Sequence, residues 1–240
     1  MLTIKNLYKE FGGLVAVKDL SFSIQPGEIV AFIGPNGSGK TTTVKIIAGL
    51  LQPGEGQVEI AGVNMVSNPL KAKQLLGYIP DDPTIWSGMT GEEFLHFTGA
   101  LYGMPEKIRR TRMKYLLEQF HLESIAPNFF EDYSRGNKQK FTIIAALLHE
   151  PKVLLIDEPI VGLDPGSVVV AKRLFTEFAA KGGSVLLVTH TLPVAEELAS
   201  KIGILLYSNL VAFGSMAELR KTAKVASDAS LEAVYNAMTE

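Results

Sequence analysis

The chain has 240 residues, with 23 basic and 25 acidic side chains and a formal net charge of −2. This near balance argues against a dedicated nucleic-acid binder, which usually carries a basic excess. The absence of cysteine excludes a disulfide scaffold, a cysteine nucleophile and a thiolate metal site.

No part of the sequence has the pattern of a targeting or membrane-spanning segment. The first residues mix charged and apolar side chains, unlike a signal peptide, and no run of about 18 apolar residues occurs. The four histidines, His96, His121, His149 and His190, lack the paired spacing of a zinc site. We therefore expect a soluble, cytosolic α/β protein.

The first quarter of the chain contains short β-strand patterns with a different unit between them. Alternating apolar and polar residues, divided by Gly-Gly and Pro-Gly turns, predict strands over residues 2–7, 15–24 and 57–60. Between the second and third strands, the pattern predicts a buried strand over 28–33, a glycine-rich turn over 34–39 and a helix over 41–51.

A helical block interrupts the α/β alternation in the middle of the chain. Apolar residues at three- and four-residue steps predict helices over residues 92–102, 107–120 and 138–149. The alternation then returns, with strands predicted over 153–156, 185–189 and 202–207 and helices over 167–180 and 193–200. Two short helical patterns follow in the tail. We expect one folding unit with two lobes, because no repeat or long linker divides the chain.

The glycine-rich turn matches the phosphate-binding pattern G-x-x-x-x-G-K-[ST]. Glycines let successive backbone N–H groups converge on phosphates, a lysine places a cation at the β- and γ-phosphates, and the threonine hydroxyl binds Mg²⁺. A preceding strand and a following helix make a chance match in a plain turn less common. The predicted nucleotide-binding residues here are Gly34, Pro35, Asn36, Gly37, Ser38, Gly39, Lys40, Thr41 and Thr42.

Two carboxylates follow the aliphatic strand over 153–156. Asp157 is predicted to hold Mg²⁺ together with Thr41, and Glu158 to orient or deprotonate the attacking water. By themselves, an Asp and a Glu in sequence are more often a helix cap or a surface turn. Their position after a buried strand, in a chain with a phosphate loop, favours the catalytic interpretation.

Several further motifs follow the glycine-rich loop in a fixed order. Tyr133-Ser-Arg-Gly-Asn-Lys-Gln-Lys140 comes near the end of the helical block, shortly before Asp157 and Glu158. Gly162-Leu-Asp-Pro165 and Val188-Thr-His190 come next. In this order they resemble the signature motif, the D-loop and the switch-histidine strand of the nucleotide-binding subunits of ATP-binding cassette (ABC) transporters. The resemblance runs from Leu2 to the end of the chain.

The resemblance implies the fold of these subunits. It is an α/β P-loop NTPase core with a mainly parallel sheet, an N-terminal antiparallel β subdomain and an inserted helical subdomain. We expect a single domain over 1–240, with its nucleotide-binding core at 1–89 and 150–214. The helical subdomain would cover 90–149 and a helical tail 215–240.

The resemblance also implies an ATPase that works as a head-to-tail dimer, with each MgATP between the P-loop of one subunit and the signature motif of the other. The signature residues Ser134, Arg135, Gly136 and Asn137 would face the partner's ATP. His190 would hydrogen-bond the γ-phosphate and act in catalysis with Glu158 and Lys40. Asp164 would join the two sites, and Phe11 and Val17 would lie at the nucleotide, with Phe11 stacked on adenine.

Each of these roles has a simpler alternative. His190 would be an ordinary turn residue, Ser134 a helix N-cap, Phe11 a core side chain and Asp164 a turn residue.

Two positions depart from the family pattern. Arg135 stands where the signature motif usually has glycine, and it either helps the γ-phosphate electrostatically or faces solvent, with a slight preference for solvent. Asp81, in Gly77-Tyr-Ile-Pro-Asp-Asp82, stands where the Q-loop usually has glutamine. It is shorter and anionic, so it would reach Mg²⁺ through water and bring an unfavourable charge towards the γ-phosphate unless the metal screens it. Both departures resemble a subset of prokaryotic exporters.

The implied partners are a second ABC ATPase subunit and a separate transmembrane permease, which would hold this chain on the cytoplasmic face of the membrane. Residues 81–103 would dock on the permease, with Ile85, Trp86 and Met89 as candidate interface side chains. A soluble ABC ATPase of DNA repair, chromosome maintenance or translation is the main alternative, but the chain lacks a long coiled coil or a basic surface. A small-molecule kinase would leave Asp157 and Glu158 without a role.

Overall fold

The computed structural model describes residues 1–83, 88–158, 160 and 162–239. A six-stranded sheet forms its centre, with strand order β10-β9-β3-β8-β7-β6. All neighbouring strands in it are parallel except β10, which pairs antiparallel with β9. Its strands are β3 (Ile29–Ile33), β6 (Leu76–Ile79), β7 (Val153–Asp157), β8 (Ser184–Val188), β9 (Lys201–Leu206) and β10 (Asn209–Gly214).

A smaller antiparallel sheet covers one face of the central sheet. Its order is β2-β1-β4-β5, and it consists of β1 (Leu2–Phe11), β2 (Leu14–Ile24), β4 (Glu55–Ile60) and β5 (Val63–Asn64). This sheet confirms the expected N-terminal antiparallel β subdomain. Helices α1 (Lys40–Ile47) and α2 (Pro69–Gln74) lie in the same part of the chain.

The helical block follows β6. It contains α3 (Gly91–Leu101), α4 (Glu106–Phe120), a short 3-10 turn (Phe130–Asp132) and α5 (Arg135–Leu148). Thr90 starts α3 with a reciprocal capping box with Glu93, and Ser134 caps α5 by accepting a hydrogen bond from the Asn137 N–H. The remaining helices are α6 (Pro165–Ala180), α7 (Leu192–Leu198), α8 (Met216–Ala223) and α9 (Leu231–Thr239).

The two faces of β7 show how the core is divided. Leu154 and Ile156 pack in a cluster with the helical block and α6, whereas Val153 and Leu155 pack in a cluster with the antiparallel sheet and α1. All five residues of β7 are buried, as is typical of a parallel strand that is covered on both faces. The helical block therefore shares its core with the central sheet. Among the described residues, no helix combines the length and the apolar character needed to cross a bilayer.

Candidate nucleotide-binding and hydrolysis site

The glycine-rich loop lies between β3 and α1, at the carboxyl end of the parallel sheet. Gly39 has φ +100°, and a Cβ there would lie 2.4 Å from the Ala16 carbonyl oxygen. Gly34 has φ +157°, and its Cβ would lie 2.2 Å from the Leu205 carbonyl oxygen. Only glycine fits these two positions, so the backbone turns tightly and α1 begins with its N–H groups facing the cleft.

Lys40 is the first residue of α1 and lines the cavity in front of this loop. Its Nζ donates hydrogen bonds to the carbonyl oxygens of Gly34, at 2.7 Å, and Pro35, at 2.9 Å. Burial lowers the pKa of Lys40, while the charges of Glu158 and Asp157 act to raise it. A partly desolvated ammonium group held over the phosphate loop by two backbone carbonyl oxygens is suited to bind phosphate oxygens.

A cavity of about 1270 Å³ opens in front of the loop. Most of the predicted phosphate-loop residues line it, namely Asn36, Gly37, Gly39, Lys40, Thr41 and Thr42. Gly34 and Pro35 line a neighbouring cavity with Asn36 and His190. Ser38 is buried, and its hydroxyl has no hydrogen-bond partner in the described part of the chain.

Two carboxylates end the strand opposite Lys40. Asp157 is the last residue of β7, and its pKa is raised to about 6, first by burial and then by the charges of Glu158 and Asp81. The four carboxylates that line the cavity, Asp81, Asp82, Asp157 and Glu158, favour the binding of a cation. No three acidic or histidine side chains form a ready metal cage in the described residues. A single carboxylate such as Asp157 fits Mg²⁺, which proteins usually hold with one or two side chains together with phosphate oxygens and water.

Glu158 is held by the loop that follows β8. Its Oε1 accepts hydrogen bonds from the backbone N–H of His190, at 2.7 Å, and lies 2.7 Å from the His190 Nδ1. Its Oε2 accepts a hydrogen bond from the Thr189 hydroxyl at 3.0 Å. The structure therefore brings Glu158 and His190, two of the three predicted catalytic side chains, into direct contact. Thr189 was not predicted, although its position directly before His190 at the end of an apolar strand is a usable signal.

The Q-loop and signature residues form the opposite wall of the cleft. Arg135 Nη2 lies 3.6 Å from Asp81 Oδ1, and both side chains line the nucleotide cavity. Arg135 is thus exposed, as expected, but it faces an acidic side chain of its own chain rather than solvent alone. Ser134 is exposed at the start of α5, and its side chain is the helix cap proposed as the simpler alternative.

Asp164 is tied to its own chain. Its carboxylate accepts hydrogen bonds from the backbone N–H and the hydroxyl of Ser167, at 2.9 and 2.7 Å, and pairs with Lys140 Nζ at 2.9 Å. These contacts, Lys140 first, hold the pKa of Asp164 well below its usual range. The residue caps α6 and links it to α5. Gly136 lies against the loop that precedes α6, since a Cβ there would be 2.6 Å from the Gly162 carbonyl oxygen.

The outer end of the cavity is aromatic. Phe11 lines it with about half of its side chain exposed, and the ammonium group of Lys9 lies 5.2 Å from the ring centre. Val17 is buried in the core, and the cavity wall from β2 is formed by Leu14, Val15 and Ala16 instead. Tyr207 also lines this end, a residue for which the sequence contains no recognisable signal.

The candidate docking segment is described only in part. Ile85 and Trp86 lie outside the described residues. Met89 is partly buried, and its carbonyl oxygen accepts a hydrogen bond from the Phe130 N–H.

The phosphate-binding loop lies between the central strand β3 and helix α1, and acidic side chains stand at the end of β7. These two features define a P-loop nucleoside triphosphatase. The family model described as ABC transporter matches residues 17–161. The chain belongs to the ABC transporter family and has the ATP-binding, ATP-hydrolysing fold of its cassette subunits.

Similar proteins support this assignment. The chain is 34% identical to the ABC-type transporter ATP-binding protein EcsA of Bacillus subtilis, over all of this chain and 97% of that protein. It is 33% identical to the linearmycin resistance ATP-binding protein LnrL of the same organism, over 91% of this chain and 70% of that protein.

Solved structures agree. An ATP-binding subunit of an ABC transporter matches with a TM-score of 0.97 and 34% identity over the whole of both chains. A dimeric ATP-binding cassette in a post-hydrolysis state with ADP and Pi matches with a TM-score of 0.82 and 26% identity, over 90% of this chain and 99% of that chain.

Proposed function

We propose that this chain binds MgATP between two cassettes and uses its hydrolysis to drive a separate membrane permease, most simply for export. The names of related proteins include linearmycin resistance, a probable multidrug transporter and Nod factor export. These names support the direction of transport proposed here. The substrate would be selected by the permease.

Hydrolysis is assigned to residues of the cleft. Thr41 and Asp157 would hold Mg²⁺, which neutralises charge on the β- and γ-phosphates when it is bound. Lys40 binds phosphate oxygens, and Glu158 orients the attacking water and accepts its proton. His190 holds the Glu158 carboxylate in place and hydrogen-bonds the γ-phosphate. Phe11 stacks on the base, and Ser134, Gly136 and Asn137 face the nucleotide of the second subunit.

One observation carries the link between hydrolysis and a permease. A groove between α3 and α5 shares Tyr78 and Pro80 with the nucleotide cavity. Its other lining residues are Phe94, Thr98, Tyr102, Thr142, Ala145 and Ala146. Because one short segment forms a wall of both, a movement of that segment on ATP binding changes the groove. A cytoplasmic helix of a permease, seated in this mostly apolar groove, would receive that movement.

Recovery of a membrane partner tests this proposal. Tagged protein is purified from detergent-solubilised native membranes, and its partners are identified by mass spectrometry. We expect a stoichiometric polytopic membrane protein with the wild type. Thr98→Arg, which puts bulk and charge in the groove, should remove that partner.

Thr111→Arg is the matched control, because Thr111 is an exposed helical threonine on α4 that does not line the groove. It should retain the partner. If the wild type recovers ribosomes, DNA or no partner, the transport role is wrong although the ATPase assignment stands. If both variants retain the partner, the permease docks elsewhere.

A further inference from the structure

The two side chains that depart from the family pattern contact each other. Arg135 begins α5 and Asp81 follows β6, so elements that are distant in sequence meet at this ion pair of 3.6 Å. Each side chain is about half exposed, with 56% and 54% of its surface accessible. An ion pair this exposed adds little to folding stability, so its contribution must be sought in the cleft itself.

The charge of Asp81 reaches the reaction centre. Its carboxylate lines the same cavity as Lys40, Asp157 and Glu158. It also contributes, after burial and Asp157, to a Tyr78 pKa of about 12. The position that the γ-phosphate would occupy therefore lies within the field of Asp81. An uncompensated anion there opposes the binding of a polyanionic nucleotide.

The permanent charges that line the cavity leave few cations to compensate this carboxylate. The acidic residues are Asp81, Asp82, Asp157 and Glu158, and the basic ones are Lys40, Lys45 and Arg135. Lys40 is engaged with the phosphate loop. Within the described part of the chain, Arg135 is the cation that lies at ion-pair distance from Asp81. Its guanidinium group stays charged at every physiological pH.

Neighbouring contacts hold Arg135 in this position. A Cβ on Gly162 would lie 3.7 Å from the Arg135 Cδ, so the stem of the side chain packs along the loop that precedes α6. One turn further along α5, the buried Gln139 donates a hydrogen bond from Nε2 to the Pro80 carbonyl oxygen at 3.4 Å. The start of α5 and the segment with Asp81 are therefore joined at two points.

We propose that Arg135 is a positioning residue for the nucleotide bound in its own subunit, and that it acts by neutralising Asp81 and drawing this carboxylate towards α5. This inference rests on the ATP-binding role described above. It assigns a function within one chain to a residue of the motif that faces the partner's ATP. It also explains how an acidic Q-loop is compatible with tight nucleotide binding.

A double-mutant cycle tests the pair with Arg135→Gln, Asp81→Asn and the combined variant. The Kd for ATP is measured by equilibrium dialysis of dilute protein, with and without Mg²⁺, and KM and kcat by phosphate release. Arg135→Gln should raise the Kd and KM about tenfold and change kcat little, because an unpaired anion remains. Asp81→Asn should bind ATP at least as tightly as the wild type, and the combined variant should match Asp81→Asn within about twofold.

A salt series adds an independent readout. The rise in Kd caused by Arg135→Gln should shrink as ionic strength rises from about 0.05 to about 0.5 M, because dissolved ions screen the repulsion between Asp81 and the phosphates. The control pair is Glu106 and Arg110 on α4, which is similarly exposed at 63% and 65% and does not line the cavity. Arg110→Gln and Glu106→Gln should leave every parameter unchanged.

Two results would overturn the inference. One is an unchanged Kd in Arg135→Gln. The other is a loss that Asp81→Asn does not rescue, as expected if Arg135 contacts the partner's nucleotide directly. Lys40→Ala belongs in the same series as a variant without tight ATP binding. A wild-type chain that binds no more ATP than Lys40→Ala would contradict the proposed function instead, which keeps the two failures distinct.

Discussion

Glu158 has a backbone conformation that few residues of its type adopt. Its φ is +48°, in the left-handed region, and its N–H donates a hydrogen bond to the Val188 carbonyl oxygen at 3.0 Å. The side chain then meets Thr189 and His190 at the end of β8. Such strain at a carboxylate in a cleft is typical of a functional position, because the surrounding contacts must hold it.

Glu158→Gln should stop hydrolysis but retain ATP. Glutamine is nearly the same size, and its Oε1 can accept the hydrogen bond from the His190 N–H while its Nε2 donates to the Thr189 hydroxyl oxygen, but it cannot take a proton from water. We expect phosphate release to fall by about 100-fold or more, with the Kd for ATP within about threefold of the wild type. Gel filtration with ATP should then show a larger dimer fraction.

Glu123→Gln serves as the matched control, since Glu123 is exposed and does not line the cavity. It should hydrolyse ATP at the wild-type rate. Normal turnover in Glu158→Gln would remove Glu158 from the mechanism.

Residue-scale chemistry could be predicted where it depends on neighbours in sequence. The phosphate loop and Asp157–Glu158 each lie within a few residues of one strand end, so a local pattern contains most of their geometry. The ion pair between Arg135 and Asp81 could not be predicted in this way. It depends on how the helical block packs on the sheet, and each residue alone looks like an isolated departure from a motif.

Helix α6 begins at a side chain that also joins it to α5. Asp164 caps α6 through Ser167 and pairs with Lys140 of α5. The depressed pKa of its carboxyl means that the folded state holds the ionised form more strongly than the unfolded chain does. This contribution to stability is present above the unfolded pKa of about 4 and is lost as pH falls through the lower folded value.

Asp164→Asn should therefore reduce stability in a pH-dependent way. Asparagine is also a good N-cap, so the variant loses mainly the ion pair with Lys140, and exposure of the pair limits this loss to about 0.5–1 kcal/mol at pH 7. Urea unfolding of both proteins at pH 7, 4 and 3 measures the difference. The difference in unfolding free energy between the two proteins should become smaller below pH 4. A difference in unfolding free energy that stays constant from pH 7 to pH 3 would show that charge on Asp164 does not stabilise α6.

The joint between α5 and β6 contains a histidine that favours its neutral form. His149 ends α5, stacks on Tyr102 with ring centres 3.6 Å apart, and its Nε2 lies 3.2 Å from the Leu76 carbonyl oxygen. Burial, as the largest cause, lowers the pKa of His149 to about 4. The unfolded chain, with a histidine pKa of about 6.5, binds more protons between these values.

Stability should consequently fall as pH is lowered from 7 to 5, by about 1–2 kcal/mol from His149. In His149→Gln the amide can donate to the Leu76 carbonyl oxygen without titrating, so this part of the pH dependence should disappear. His121→Gln, at the exposed end of α4, should keep the wild-type slope. Urea unfolding at pH 5, 6 and 7 measures all three. Equal slopes in the wild type and His149→Gln would show that His149 remains neutral in both states or charged in both.

The predicted elements were most accurate where periodicity was long, as in α4, predicted over 107–120 and observed over Glu106–Phe120. Helix α1 ends earlier than predicted, at Ile47, because Gly49 adopts φ +64° and ends the helix. Strand β10 was not predicted. Its hairpin turn is formed by Tyr207 and Ser208, both with positive φ, without the glycine or asparagine that normally marks such a turn. Strand β6 was not predicted either, and it has only four residues.

The proposed ATP site is built from two cassettes, and the position of Ser134 in one chain is consistent with this proposal. Ser134 is exposed at the start of α5 and does not line the cavity in front of its own phosphate loop. A solved relative of this fold is a dimer with ADP and Pi. In a two-fold symmetric dimer each contact occurs twice with the roles exchanged, so in the proposed head-to-tail dimer each site would combine the P-loop of one chain with the signature motif of the other.

Subunit mixing tests whether two copies of this chain pair in that way. Lys40→Ala disables the P-loop, and Ser134→Asp keeps the cap of α5, since aspartate is a good N-cap, but places an anion against the partner's phosphate. Each variant alone should have two defective sites per dimer and little ATPase activity. A mixed dimer concentrates both lesions in one site and leaves the other intact.

An equimolar mixture should contain about half mixed dimers, each with one of two sites active, so about a quarter of wild-type phosphate release should return if the sites act independently. A mixture of Lys40→Ala with Glu158→Gln should recover no ATPase activity. Each substitution disables the site that contains its own chain's P-loop, so both sites of a mixed dimer are defective. Recovery in that second mixture would contradict the placement of Lys40 and Glu158 in one chain's site. No recovery in the first mixture would mean that this chain pairs with a different cassette.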